Sequence, residues 1–317
     1  MTQSARRARS PKGLIVIDKQ GDRILFLDPL SLRTLEAIED MPKLPHELAI
    51  SPDQTRAYVP AYGDGVHGDN PHPNHLISVI DLQERRRLDD IELQPLQAPH
   101  TLRFGRDGLL YICCEKSAVI AIYDPQQGGM VGEIETGSAN SHRLAILPQR
   151  AWICTDNEED ASVSILDIAA RSLVGRIQLP CAIAGIAAAK DESAVVVTSA
   201  DHPEILILDV EGREVRKKIT LQGHDKPGQV VRFSPDGRWL LVVGDHEPVI
   251  SLIEIGGDDQ RTIRVGKKPM DGVFHPNGRS LLIANEGDAT LSQIDLVTGR
   301  VLRTVACGSG CETLGYF

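Results

Sequence analysis

The tetrapeptide Ser78-Val79-Ile80-Asp81 has close relatives at regular intervals along the whole 317-residue chain. Each relative is a short run rich in Val, Ile or Leu that ends in an acid and precedes a polar turn. Short apolar runs bounded by turn residues predict β-strands rather than helices. Because the acids stand at strand ends, we interpret them as turn formers and not as catalysts. The seven copies occupy residues 25–28, 78–81, 121–124, 164–167, 206–209, 252–254 and 292–295.

These copies belong to a repeat of about 42 residues that contains four apolar strands. In each repeat the first two strands flank a turn such as Ser51-Pro52-Asp53, and a polar loop then leads to the tetrapeptide and a fourth strand. Such a repeat predicts an all-β fold, namely a seven-bladed β-propeller of four-stranded antiparallel blades, as a single domain over residues 13–317. Residues 1–12, with four basic side chains, are expected to form a disordered basic tail.

The two ends of the chain are expected to share one blade. The first strands of six repeats begin at residues 46, 100, 142, 184, 229 and 270, and the seventh first strand is the C-terminal segment 312–316. The N-terminal repeat, conversely, starts at its second strand, residues 14–18. Pairing the C-terminal strand with the N-terminal blade would remove the open edge of the ring.

Four segments indicate a resemblance to a known family. They read SPD at 51–53, YVPA at 58–61, FSPDG at 233–237 and FHPNG at 274–278. Through them the chain resembles the YVTN family of bacterial β-propellers over nearly its whole length, whereas WD40 repeats are disfavoured because no Trp-Asp dipeptide ends a third strand. The resemblance implies the propeller fold. Related propellers include lactonases, a muconate-cyclising enzyme, metal-dependent lyases and proteins without known activity, and fold-level likeness does not choose among them.

Charge and composition restrict the partners. The formal net charge of −10 argues against nucleic acid or an anionic membrane surface, because both select basic faces. No apolar run reaches the roughly 18 residues of a membrane-spanning helix, and no signal core follows the basic N-terminal segment, so we expect a cytoplasmic protein. The six cysteines form no zinc-binding pattern and are expected to be reduced thiols.

The repeat also locates a candidate site. The loops between the second and third strands and the connections between blades share one face of a propeller, here called the upper face. At this face the first channel-facing position of each innermost strand can be aligned around the ring. Four consecutive blades thereby present one Glu and three His at the same level. The seven aligned residues, here called the channel ring, are Glu312, His46, His100, His142, Ala184, Gln229 and Met270.

Imidazole and carboxylate groups are common ligands of zinc, iron and manganese. We therefore expect one divalent metal ion of this kind, which would polarise a carbonyl or lower the pKa of bound water. The alternative is that the histidines of the channel only form hydrogen bonds with water or carboxylates. The expected ligands are His46, His100, His142 and Glu312.

Three residues further along the same strands, Arg103 and Arg232 stand among small or apolar residues. A buried guanidinium needs an anionic partner. The arginines could hold the carboxylate or phosphate of a substrate, together with Arg143, or they could form internal ion pairs with Glu47 or Asp271. In the first case Glu47 or Asp271 is the candidate general base.

The segment 61–74 is the longest loop of the upper face and contains Gly and Pro at several positions. It is expected to be irregular and to cover the site as a lid. His67 and His72 are its candidate acid–base groups, and His75 follows directly after it. The alternative is a surface loop whose histidines have no catalytic role.

Together these features predict a metal-dependent enzyme that acts on a small anionic metabolite. Lactone or ester hydrolysis fits, as does a lyase or isomerase step through a metal-stabilised enolate. One rival is a protein-interaction platform, although only 4% of residues are aromatic, which is few for a binding surface with aromatic anchors. Another is a carrier of a metal ion or anion without turnover.

Overall fold

In the computed structural model, which describes residues 10–65 and 68–317, seven antiparallel sheets form a ring. Blade 1 starts with β1 (Leu14–Asp18), β2 (Arg23–Leu27) and β3 (Thr34–Ile38). Blade 2 contains β4 (Ala49–Ile50), β5 (Arg56–Pro60), β6 (Leu76–Asp81), β7 (Arg86–Arg87) and β8 (Ile91–Glu92). Blade 3 contains β9 (Pro99–Phe104), β10 (Leu110–Cys114), β11 (Val119–Asp124) and β12 (Gly129–Glu135). Blade 4 contains β13 (Ser141–Leu147), β14 (Trp152–Asn157), β15 (Ser162–Asp167) and β16 (Ser172–Gln178).

The remaining blades repeat this order. Blade 5 contains β17 (Ile183–Ala188), β18 (Val195–Ser199), β19 (Glu204–Asp209) and β20 (Glu214–Thr220). Blade 6 contains β21 (Val230–Phe233), β22 (Trp239–Val243), β23 (Val249–Glu254) and β24 (Gln260–Arg264). Blade 7 contains β25 (Pro269–Phe274), β26 (Ser280–Asn285), β27 (Thr290–Asp295) and β28 (Arg300–Ala306), and the last strand is β29 (Cys311–Tyr316). The predicted seven-bladed propeller is confirmed. In blade 2 the outer strand is interrupted, because β7 and β8 both pair with β6.

Strand β29 completes blade 1, as predicted. It runs antiparallel to β1, with Leu14 opposite Tyr316 and Val16 opposite Leu314. Beyond the strand, the ring of Phe317 packs edge-on against Phe26, with 6.2 Å between ring centroids. The closing blade is therefore held by ladder hydrogen bonds and by apolar contacts from both ends of the chain.

The core lies between the blades. The inner strands β1 and β10 are buried at every position, because a neighbouring blade covers each face of the sheet, whereas the outer strand β28 is mostly exposed. The described residues form seven buried apolar clusters, one for each pair of adjacent blades. This arrangement leaves the innermost strands of the blades to line the central channel.

The strand-end acids have the structural role predicted for them. Asp28 Oδ1 accepts hydrogen bonds from the backbone N–H groups of Ser31 at 2.6 Å and Leu30 at 3.1 Å. Asp295 Oδ1 likewise accepts from the N–H of Thr298 at 2.7 Å. These bonds, led by the backbone N–H groups, lower the pKa of both carboxyls. The repeated acids therefore close turns.

Helical structure in the described residues consists of three short 3₁₀ turns, Lys19–Gly21, Glu115–Ser117 and Glu286–Asp288. No helix in that part of the chain is long and apolar enough to cross a membrane. All six cysteines are free thiols. Most of the predicted tail, residues 1–12, falls outside the described residues. At its end, Lys12 N donates a hydrogen bond to Phe317 O.

Candidate functional site

Irregular strand pairing positions several residues of the channel ring. In blade 3 the pairing of β9 with β10 shifts at His100 and Thr101, which together oppose Cys113. A β-bulge of this kind re-aims the side chain of the extra residue. Equivalent shifts occur at His142 in β13 and at Glu312 in β29. The register of β29 therefore supports the alignment of Glu312 with the histidines.

All seven residues of the channel ring line one cavity at the upper face, here called the upper cavity, with a volume of about 410 Å³. Side chains from the upper loops and the following ring positions complete its wall. These further side chains are Lys19, Tyr62, Arg143, Glu158, Glu159, Asp245 and Lys268.

The imidazoles of three adjacent blades are in contact. The ring centroids of His100 and His142 are 3.7 Å apart, and those of His46 and His100 are 4.8 Å apart. Tyr62 stands edge-on to all three rings, with centroid distances of 5.4, 5.3 and 6.0 Å to His46, His100 and His142. The structure thus brings the three predicted histidines together.

Hydrogen bonds hold two of these rings in a defined tautomer. His46 Nδ1 is 2.9 Å from the carbonyl oxygen of Leu44, and His142 Nδ1 is 2.6 Å from Glu115 Oε2. Because carbonyl and carboxylate oxygens only accept, Nδ1 is the donor in both cases, and the lone pair of the neutral ring lies on Nε2. Metal-binding histidines are commonly oriented through their second nitrogen in the same way.

Burial keeps two imidazoles neutral. Burial, reinforced by the charge of Lys19, lowers the pKa of His46 to about 4. Burial, together with the neighbouring rings of His142 and His46, lowers the pKa of His100 well below its usual value. The Nδ1 atom of His100 lies 3.2 Å from Thr101 Oγ1. Neutral imidazole is the form that binds a metal ion or accepts a proton.

Glu312 has a different environment from the histidines. Its Oε2 atom is 2.8 Å from Lys19 Nζ, so the carboxylate already has a cationic partner. Burial raises the pKa of Glu312 to about 7, although the charge of Lys19 opposes the change. The group can therefore exchange a proton near neutral pH, a property that a metal ligand does not require.

A second ring of side chains escaped the sequence analysis. Its residues lie one or two positions after the second strand of each blade. Three of them, Lys19, Tyr62 and Glu115, contact residues of the channel ring. Tyr62 Oη donates to Glu115 Oε2 at 2.8 Å, and Lys268 Nζ is 2.6 Å from Glu286 Oε1. The alignment that located the histidines, applied to this position, could have found the ring. Its members are Lys19, Tyr62, Glu115, Glu158, Ala200, Asp245 and Glu286.

Of the three predicted arginines, the described lining of the upper cavity includes Arg143, whose Nη1 is 2.9 Å from Glu158 Oε1. Arg103 and Arg232 instead line a cavity of about 660 Å³ at the opposite end of the channel, here called the lower cavity. Pro52 and Pro148, in turns between first and second strands, identify this as the opposite face. The structure therefore does not bring Arg103 and Arg232 to the histidines.

The internal ion pairs left open by the sequence are present. Arg232 binds Asp271 with two hydrogen bonds, 2.9 Å from Nε to Oδ1 and 2.5 Å from Nη2 to Oδ2. Arg103 Nη1 is 3.8 Å from Glu47 Oε2. Burial would raise the pKa of Glu47, but Arg103 and two further guanidiniums outweigh it and lower the pKa. Neither Glu47 nor Asp271 is among the described residues that line either cavity, so the geometry does not favour them as general bases.

The segment 61–74, the expected lid, contributes fewer side chains to the upper cavity than expected. His67 lies outside the described residues. His72 is 80% exposed and its Nδ1 is 2.8 Å from Asp64 Oδ2, whereas His75 Nε2 is 3.3 Å from Glu92 Oε1. The described lining of the upper cavity includes neither His72 nor His75, but it does include Tyr62 and Gly65 at the start of the loop.

One arrangement outside the channel resembles a catalytic triad. His224 Nε2 is 2.8 Å from Ser251 Oγ, and His224 Nδ1 is 2.8 Å from Glu247 Oε1. Both Ser251 and the His224 side chain are fully buried. A catalytic serine must be accessible to the acyl group of a substrate, and Ser251 is not. We therefore assign these residues a structural role in linking the loops of blade 6.

Residues 10–65 and 68–317 contain no ready-made metal centre. No group of three or more His, Cys, Asp or Glu side chains in these segments is placed to hold a metal ion. The three imidazoles lie together, with interplanar angles of 53° between His46 and His100 and 31° between His100 and His142, so metal binding would require adjustment of their ring orientations.

Comparison with known proteins supports the fold. No protein-family model matches the chain, and no curated protein matches it in sequence. Its structure is similar to hydrazine synthase of Kuenenia stuttgartiensis, with TM-score 0.68, 15% identity and coverage of 84% of this chain and 87% of that one. It is also similar to a functionally unknown protein from Desulfotomaculum acetoxidans DSM 771, with TM-score 0.77, 14% identity and coverage of 96% and 98%. At these identities the likeness concerns the propeller architecture alone.

Proposed function

We propose that the upper cavity is the active site of a metal-dependent enzyme that acts on a small anionic metabolite. The observation that carries the proposal is the contact among His46, His100 and His142 in one cavity, where burial keeps two of the rings neutral. This donor chemistry suits zinc, iron or manganese in the divalent state. The sequence resemblance to YVTN propellers, whose relatives include lactonases and lyases, is in line with the proposal.

The charges of the upper cavity support binding of a cation followed by an anion. Four carboxylates, those of Glu158, Glu159, Asp245 and Glu312, and three cationic groups, those of Lys19, Arg143 and Lys268, stand among its described lining. With Glu312 ionised and the imidazoles neutral, these groups have a net charge of −1, which attracts a cation. A bound divalent ion would reverse the sign and favour an anionic substrate.

The proposed ligands of the ion are His46, His100 and His142. When bound, the ion would supply Lewis-acid activation of a carbonyl group or of water. Glu312 would exchange protons with the substrate, since its pKa of about 7 matches neutral pH. Arg143 would hold an anionic group of the substrate, and Glu115 would orient His142 through the bond to Nδ1. This assignment replaces the expected metal-binding role of Glu312 by acid–base catalysis.

Metal binding is tested first. Protein stripped with a chelator is titrated with zinc, manganese or ferrous ions in a calorimeter, and the metal content is checked by elemental analysis. We expect one ion per chain, with a rise in melting temperature because the ion binds the folded state. His100→Ala should lose the ion. His202→Ala is the matched control, because His202 is exposed in an upper loop and should leave binding unchanged.

Catalysis is tested second, with the metal-loaded protein and a panel of lactones, carboxylate esters and hydroxy acids. Arg143→Met should raise KM for anionic substrates while the metal remains bound, and Glu312→Gln should lower kcat. Absence of metal binding under all these conditions would contradict the proposal. Metal binding without turnover of any of these classes would favour a carrier instead.

A further inference from the structure

The lower cavity differs in character from the upper cavity. Its described wall contains three arginines, Arg103, Arg106 and Arg232, and no carboxylate. The remainder of the wall is largely apolar and includes the side chains of Phe104, Ile146 and Phe233. A cavity that combines guanidinium groups with aromatic and aliphatic walls suits an amphipathic anion better than an inorganic one.

Arg103 has hydrogen-bonding capacity left for a ligand. Its Nη1 donates to the carbonyl oxygen of Leu102 at 2.7 Å, while Glu47 Oε2, at 3.8 Å, is beyond hydrogen-bond distance. Among the described residues, no acceptor forms a hydrogen bond with its Nε or Nη2 atoms. Arg232, in contrast, already has two hydrogen bonds to Asp271.

The electrostatic environment of Arg103 agrees with its geometry. Burial and the nearby charge of Arg232 lower the pKa of Arg103 to about 10, and the carboxylates of Glu47 and Asp271 only partly oppose this. The side chain is 29% exposed, so its guanidinium is still accessible from the cavity. An additional anion at this position would reduce the repulsion between the two arginines.

We propose that the lower cavity is a second binding site, for a small organic monocarboxylate. The carboxylate would accept hydrogen bonds from Arg103, since the fork of N–H groups matches two carboxylate oxygens. The apolar body of the ligand would pack against Phe104, Ile146 and Phe233. The site goes beyond the proposed function of the upper cavity, because it requires neither a metal ion nor the histidines and opens on the opposite face.

The experiment measures binding of hexanoate and benzoate to the intact chain by titration calorimetry, with hexanamide and benzamide as uncharged counterparts. We expect millimolar or tighter binding of the carboxylates and at least about tenfold weaker binding of the amides, because a charge-assisted hydrogen bond is lost. Arg103→Met should weaken carboxylate binding by about tenfold or more. Arg238→Met, at an exposed arginine in the turn that leads into β22, is the matched control and should have no effect.

Two further measurements keep the inference open to refutation. Ala187→Leu places a larger side chain in the wall without changing a charge, and should weaken carboxylate binding. This variant provides the test if Arg103→Met proves too unstable to measure. His100→Ala should bind the carboxylates as well as the parent protein, so failure of the metal site and failure of this site are distinguishable. Sulfate is measured as an inorganic anion for comparison. The inference would be overturned if carboxylate and amide bound equally, if sulfate bound as well as hexanoate, or if a folded Arg103→Met bound the carboxylates unchanged.

Discussion

Replacing Arg232 by Met removes one half of the ion pair inside the channel and leaves Asp271 without its guanidinium. The Asp271 side chain is 5% exposed, so its carboxylate is poorly solvated without the guanidinium. Breaking a buried pair costs roughly 3–5 kcal/mol of unfolding free energy, and the 28% exposure of Arg232 places this pair at the lower end. We therefore expect Arg232→Met to lower the free energy of unfolding by about 3 kcal/mol.

Urea unfolding followed by tryptophan fluorescence measures this change, because Trp239 is buried in the same blade as Arg232. The series includes Arg232→Met, Asp271→Asn and the double variant. The double variant should be more stable than Arg232→Met alone, since it contains no unpaired carboxylate. Arg238→Met is a matched control, because its pair with Glu254 is more exposed and contributes at most about 1 kcal/mol.

A loss below about 0.5 kcal/mol in Arg232→Met, the range of ordinary surface substitutions, would refute the structural role of this pair. The same holds if the double variant is no more stable than the single one. Reduced ligand binding together with unchanged stability would restore the alternative in which Arg232 acts mainly on a substrate.

Three further predictions concern closure, pH and the buried triad. Deleting residues 310–317 removes β29 and should give aggregated or strongly destabilised protein by size-exclusion chromatography; a soluble truncation with the parent melting temperature would contradict the closure. Burial raises the folded-state pKa of Glu312 from 4.5 to about 7, so its contribution to stability is largest below pH 4.5 and is lost as pH rises to about 7. Glu312→Gln should thus gain stability relative to the parent between pH 5 and pH 8, by up to about 3 kcal/mol in urea unfolding; an equal difference at both pH values would refute this. Ser251→Ala should cost about 1–3 kcal/mol of stability through the unpaired His224 and leave metal binding unchanged, whereas lost metal binding in a folded variant would show coupling to the channel.

Repetition made the candidate site accessible to sequence analysis. His46, His100 and His142 precede equivalent strands, and equal position in equal blades means equal height in a closed ring. The same argument placed Glu312 at that level, although residues at opposite ends of the chain form the blade. The alignment predicted which side chains meet. It did not predict how the imidazole rings would be oriented or which groups would accept hydrogen bonds from Nδ1 of His46 and His142.

The chain by itself determined the number of blades, the closure and the level of the histidines, because these follow from repeat length and strand alternation. Only the tertiary structure decided the partners of the charged groups. Lys19 meets Glu312, and Arg232 meets Asp271, through contacts between strands or blades that no local pattern encodes. Strand direction along the channel likewise separates Arg103 from His100. Strand β9 starts at the upper face, so a residue three positions after His100 lies closer to the lower face.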